Sequence, residues 1–80
     1  MLSEYIQAAM KHAKYEILKD RKKYYGEIPQ CKGVYATAKT LETCRQQLAE
    51  ILEEWLFLRI HRHLSLPAFD GVKLSVKEIS

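Results

Sequence analysis

Cysteine is scarce in this chain. Cys31 and Cys44 are the only two among 80 residues, too few for a disulfide framework. They read as reduced thiols in a cytoplasmic protein. A charged targeting segment is also missing: the start, Met1-Leu2-Ser3-Glu4, carries a carboxylate where a signal peptide carries lysines. The longest apolar run, Trp55-Leu56-Phe57-Leu58, falls far short of the roughly 18 residues of a membrane span. Charge of one sign does not dominate either. The net charge of +3 suits solubility and weak attraction to acidic partners, without the dense basic face of a typical nucleic-acid binder. There is no internal repeat, no low-complexity segment and no linker long enough to separate two domains.

What remains is one small domain, spanning 1–80, with 48% hydrophobic and 29% charged residues. A chain this short buries only about 60–65% of its unfolded surface. Its stability is therefore marginal unless it is stapled or self-associates.

The pattern of elements is legible from punctuation. Ser3 caps a helix predicted to about His12, with Tyr5, Ile6, Ala9, Met10 and Ala13 on one apolar stripe. Lys14 to Leu18 alternates as a strand, with Tyr15 and Ile17 on its core face. Asp20 to Lys23 is a polar turn, and Tyr24 to Ile28 a second strand stopped by Pro29. Gly26 within it marks a bulge or a close approach by another backbone. After the loop Gln30 to Lys32, a third strand runs Gly33 to Ala38. Thr40 then caps a helix predicted from Leu41 to about Leu64. Its stripe is Leu41, Cys44, Leu48, Ile51, Leu52 and Trp55. Past Pro67 and the Asp70-Gly71 turn, Val72, Leu74 and Val76 alternate as a last strand. The order α-β-β-β-α-β predicts an α+β fold: a small, mainly antiparallel sheet of three or four strands with the long helix packed on one face.

No catalytic centre or bound cofactor is predicted. His61 and His63 stand two apart on a helix and diverge by about 200°, which is poor spacing for a metal. His12 lies on another element, and no close Cys pair joins them. Cys44 falls on the apolar stripe and reads as core, while Cys31 reads as an exposed loop residue. A residual metal-dependent nuclease would need converging carboxylates. Glu16 and Glu27 are on the sheet without an Asp beside them, and Glu50 and Glu54 read as a solvated helix face.

The apolar excess points to a partner instead. Trp55, Leu56, Phe57, Leu58 and Ile60 make the long helix apolar on most of its circumference, and a single sheet covers only one side. Together with Tyr25 and Tyr35 they are the expected interface with a second copy or another protein. Lys19, Arg21, Lys22 and Lys23 cluster at the hairpin tip, the expected place for any phosphate contact.

The segments Tyr15-Glu16-Ile17-Leu18, Tyr24-Tyr25-Gly26-Glu27-Ile28-Pro29, Gly33-Val34-Tyr35-Ala36 and Thr40-Leu41-Glu42, with the acidic helix ending near Trp55, resemble the HicB-like antitoxins of bacterial and archaeal type II toxin–antitoxin systems. The likeness runs from about Ala13 to Val76. It implies a degenerate, truncated RNase H-like domain that lacks metal-binding carboxylates and self-associates. It also implies binding to a small basic HicA toxin, an mRNA-cleaving ribonuclease with a double-stranded-RNA-binding-like fold, whose active site is shielded. Glu16, Glu27 and Glu42 are the acidic residues expected to face that toxin. Many members carry a C-terminal helix-turn-helix or ribbon-helix-helix module. Here the expectation is a single HicB-like domain without one, with an added N-terminal helix and a Gln30-Cys31-Lys32-Gly33 loop where the family often has Pro before the Gly. The alternative expectation is an orphan homo-oligomeric module that binds RNA or DNA through its basic hairpin.

Overall fold

A computed structural model describes residues 2–20, 22–69 and 71. The first helix, α1, is Leu2–Met10, followed by β1 (Lys14–Leu18), β2 (Lys23–Glu27), β3 (Tyr35–Ala38) and the long helix α2 (Leu41–His61). The strands form an antiparallel sheet in the order β1-β2-β3. This is the predicted α+β layout, and α2 packs across β2 and β3. The strand predicted over Val72–Val76 lies outside the described residues.

Helix α1 starts at Leu2, so Ser3 lies inside it instead of capping it, and it ends at Met10, before His12; β2 starts one residue early, at Lys23. Three further element ends differ from the sequence reading, each for a local reason. Strand β2 stops at Glu27 because the Ile28 N–H turns to the Val34 carbonyl, while Cys31 N–H bonds to the Ile28 carbonyl and Val34 N–H to the Cys31 carbonyl. That knot absorbs Gly33, whose φ of 95° only glycine adopts freely, so β3 starts at Tyr35. Helix α2 ends at His61 rather than near Leu64. His63 turns left-handed at φ 56°, its N–H bonds to the Ile60 carbonyl, and the Leu64 N–H bonds to the Arg59 carbonyl. These bonds are a Schellman closure with histidine where glycine is usual. The other end of α2 is capped as expected: Thr40 is extended (φ −124°, ψ 154°) and its Oγ1 accepts the Thr43 N–H at 3.1 Å.

The core follows from the four-residue spacing of Cys44, Leu48, Leu52 and Leu56 along α2, all fully buried. Opposite them lie Ala36 and Ala38 of β3 with Ile28 and Val34 of the knot, and Tyr5, Ala8 and Ala9 of α1 complete the cluster. Phe69 returns to this core, its ring edge-on to Tyr5 at 5.5 Å, and the Tyr5 hydroxyl donates to the Pro67 carbonyl. Gly26 sits in unbroken register, paired with Tyr15 and Ala36. The close approach there is by side chains: a Cβ on Gly26 would lie 2.8 Å from Tyr15 Cε1 and 3.2 Å from Cys44 Sγ. Tyr15 is accordingly half-buried, but Ile17, predicted to share its core face, is 62% exposed. The reason is reach, because α2 covers β2 and β3 and stops short of β1.

Candidate partner-binding surface

A sheet packed by one helix keeps a second face. Pairing register decides which residues occupy it, since directly opposite residues share a side. One row reads Lys14, Glu27, Tyr35 and the next Glu16, Tyr25, Thr37, with Leu18 and Lys23 at the hairpin end. No described helix packs on these rows. The Tyr25 and Tyr35 rings stack across the strands, 6.2 Å between centroids and 28° between planes. The Tyr25 hydroxyl donates to Glu27 Oε2 at 3.2 Å. Burial raises the Tyr25 phenol above its usual pKa, and the hydrogen bond to Glu27 and the charges of Glu27 and Glu16 raise it further.

Four sequence-nominated residues, Tyr25, Tyr35, Glu16 and Glu27, therefore meet on one face. Glu42 does not join them. It sits in the first turn of α2, on the opposite side of the sheet, in a groove with Ile6, Met10, Lys11 and Arg45. The lysines Lys19, Lys22 and Lys23 are all exposed at the hairpin turn, and Arg21 lies outside the described residues. Lys23 also ends the open face, in line with Tyr25.

The helix residues nominated for an interface divide. Leu56 is fully buried and belongs to the core, because it continues the Cys44-Leu48-Leu52 stripe by one more turn. Trp55 is half-buried: its Nε1–H donates to the Lys32 carbonyl at 3.2 Å and the Arg59 guanidinium stands 4.8 Å from its ring. Ile60 is half-buried. Phe57 and Leu58 remain about half exposed, at 52% and 50%. Consecutive helix positions point about 100° apart, so these two spread over the exposed arc of α2, away from the sheet.

Sequence reasoning missed the groove between α1 and α2, lined by Ile6, Met10, Ala49 and Arg45 among others. The signal was Arg45, a cation one position past the core residue Cys44. Lys14 was also missed as a neighbour of Glu27, though strand alternation places it beside Glu16.

Cys31 was expected in an exposed loop, and the structure buries it completely. The knot between Ile28 and Val34 folds its side chain inward. Burial pushes its thiol up to about 11, against a lowering pull from Arg59. Burial likewise lifts the Tyr5 phenol to about 12, with a further push from Cys31. Cys44 Sγ–H points at the Ala36 carbonyl, 3.4 Å away, and burial raises its pKa too. Each folded pKa lies above the ordinary value, 9 for the thiol and 10 for the phenol. The stabilisation is therefore complete below the ordinary value and lost as pH rises through the folded one. The urea midpoint is expected to fall between pH 9 and 12, and Cys31→Ala to flatten the first part of that fall. A midpoint independent of pH over this range would contradict the burial of both groups.

Among the described residues no group of three or more His, Cys, Asp or Glu side chains is placed to hold a metal ion. Among them, too, no helix is long and apolar enough to cross a membrane.

Comparison with known proteins supplies a family and a fold. The sequence model of the family described as UPF0150-like matches residues 4–67. The crystal structure of TTHA0281 from Thermus thermophilus is 38% identical and superposes with a TM-score of 0.89, over 96% of this chain and 95% of that one. No curated protein matches.

Proposed function

This chain belongs to the UPF0150-like family, and from that premise we propose that it is a non-catalytic binding protein of the HicB-like antitoxin type. Its open sheet face covers a small basic mRNA-cleaving ribonuclease in the cytoplasm and blocks that partner's active site. The observation that carries the reading is the placement of Glu16 and Glu27 around the stacked Tyr25 and Tyr35 on the side of the sheet away from α2. Tyrosine provides large contact area with a polar handle, and carboxylates beside it select and steer a cationic partner. Both thiols are buried and held protonated, which suits packing rather than nucleophilic chemistry. Two copies pair through Phe57 and Leu58, which a single chain leaves uncovered.

Affinity capture of the tagged chain from its native host, with mass spectrometry of what co-elutes, tests the reading. A small basic ribonuclease in equal amount is the expected result. The chain eluting alone would overturn it.

A second reading has its own observation: Lys23 ends the open face in line with Tyr25, with Lys19 and Lys22 in the adjoining turn. A lysine tip leading onto a tyrosine stack is a way to hold single-stranded RNA or DNA. In that reading the affinity for a short single strand falls steeply with salt, by a slope of about 0.7 per phosphate contacted. A salt-independent affinity, or no binding, removes it.

A further inference from the structure

The open face is patterned more finely than a general attraction to a basic partner requires. Glu27 stands directly opposite Tyr35, and Glu16 directly opposite Tyr25. Direct cross-strand neighbours are about 5 Å apart and diagonal ones about 7–8 Å. The four side chains thus step diagonally across three strands, Glu16 on β1, Tyr25 and Glu27 on β2 and Tyr35 on β3, with Glu27 beside Tyr35 at one end and Glu16 at the other. Within this run the Tyr25 hydroxyl fixes Glu27 by occupying one of its oxygens. Tyr25 is half-buried against Tyr35. Tyr35, at 56% exposed, still presents ring surface outward.

We propose that the Tyr35 end of this run seats one arginine side chain of the basic partner, its guanidinium stacked on Tyr35 and its N–H donors directed to the Glu27 carboxylate. The proposal rests on the reading that the partner docks on the open face. The choice of arginine over lysine follows from chemistry. A guanidinium is planar and weakly hydrated, so it lies on an aromatic face and still donates in its plane to a carboxylate beside the ring. An ammonium is compact and strongly hydrated and stays in water. Lys14, opposite Glu27 in the same row, is the intramolecular competitor. Its ammonium can offer charge to Glu27 but cannot stack as a plane on the ring.

The test needs no partner protein. Nα-acetyl-L-arginine amide is titrated into the full chain while the ring resonances of Tyr25 and Tyr35 are followed by NMR, with Nα-acetyl-L-lysine amide as control. Saturable shifts are expected with the arginine probe, and binding at least about threefold weaker with the lysine probe. Tyr35→Phe keeps the ring and is expected to keep binding. Tyr35→Ala and Glu27→Gln are expected to lose it, with unchanged circular dichroism showing that they fold. Equal response to both probes, or an undiminished arginine response in Tyr35→Ala, would overturn the seat. The two ideas fail separately. Arginine binding without any captured ribonuclease keeps the seat and removes the antitoxin reading; a captured ribonuclease with no arginine response does the reverse.

Discussion

Leu52→Ala is expected to lower the unfolding free energy by about 3–4 kcal/mol. Leu52 is fully buried at the middle of the Cys44-Leu48-Leu52-Leu56 stripe, the line along which α2 meets the sheet. The cluster around it includes Ala8, Ala9, Ala36 and Ala38, whose short side chains can fill little of the hole. The loss thus includes the transfer term of the removed methyl groups and the cavity they leave. In a small domain whose total stability is of order 5–10 kcal/mol, such a loss leaves a measurable unfolded population at 37 °C. Urea denaturation followed by circular dichroism reads it directly. A change under about 1 kcal/mol would mean that the stripe is not the core seam.

Gly26→Val is the second large effect, and its sign depends on which of two terms wins. Valine favours strands, a preference worth at most about 1 kcal/mol. Against it, even a Cβ at position 26 would lie 2.8 and 2.9 Å from the Tyr15 ring and 3.2 Å from Cys44 Sγ. Both neighbours are pinned, Tyr15 in the strand beside it and Cys44 on the buried face of α2. Forcing methyls into a filled site costs about 1–3 kcal/mol, and valine adds two more beyond the Cβ. The clash wins, for a net loss of about 2 kcal/mol. Removing the obstruction in Tyr15→Ala should return part of it. The double variant is therefore expected to be more stable than the two single losses added together would allow. Strict additivity would show that the ring is not what excludes a side chain at position 26.

The same two sites show what the sequence carried. The seam was readable because Cys44, Leu48 and Leu52 repeat at one helical spacing. Leu56 belongs to that repeat, yet it sits inside the run Trp55-Leu56-Phe57-Leu58, and an unbroken apolar run has no phase from which to sort core from surface. Gly26 was recognisable as a site of close approach, but strand alternation names the face and not the neighbour. That Tyr15 fills the space depends on the register of two strands.

The candidate surface was legible to the same degree. Alternation places Tyr25 with Glu27, and Tyr35 with Thr37. Only the pairing of the three strands brings Glu16, Glu27, Tyr25 and Tyr35 together and leaves Glu42 on the helix side. Cys31 was misplaced because a loop has no periodicity. The three hydrogen bonds that tuck it inward connect Ile28, Cys31 and Val34 and leave no trace in composition. Ile17 was misplaced because alternation says which way a side chain points, not how far the covering helix extends.

The separation of Glu42 from Glu16 and Glu27 gives the account its most direct test. The captured basic ribonuclease is titrated calorimetrically with the wild-type chain, with the double charge reversal Glu16→Lys plus Glu27→Lys, and with Glu42→Lys. If the partner lies on the open sheet face, the double reversal weakens binding by about a hundredfold or more, and Glu42→Lys changes it by less than about threefold. The opposite order, with Glu42→Lys abolishing binding and the double reversal leaving it intact, would contradict the account and move the partner to the groove between α1 and α2.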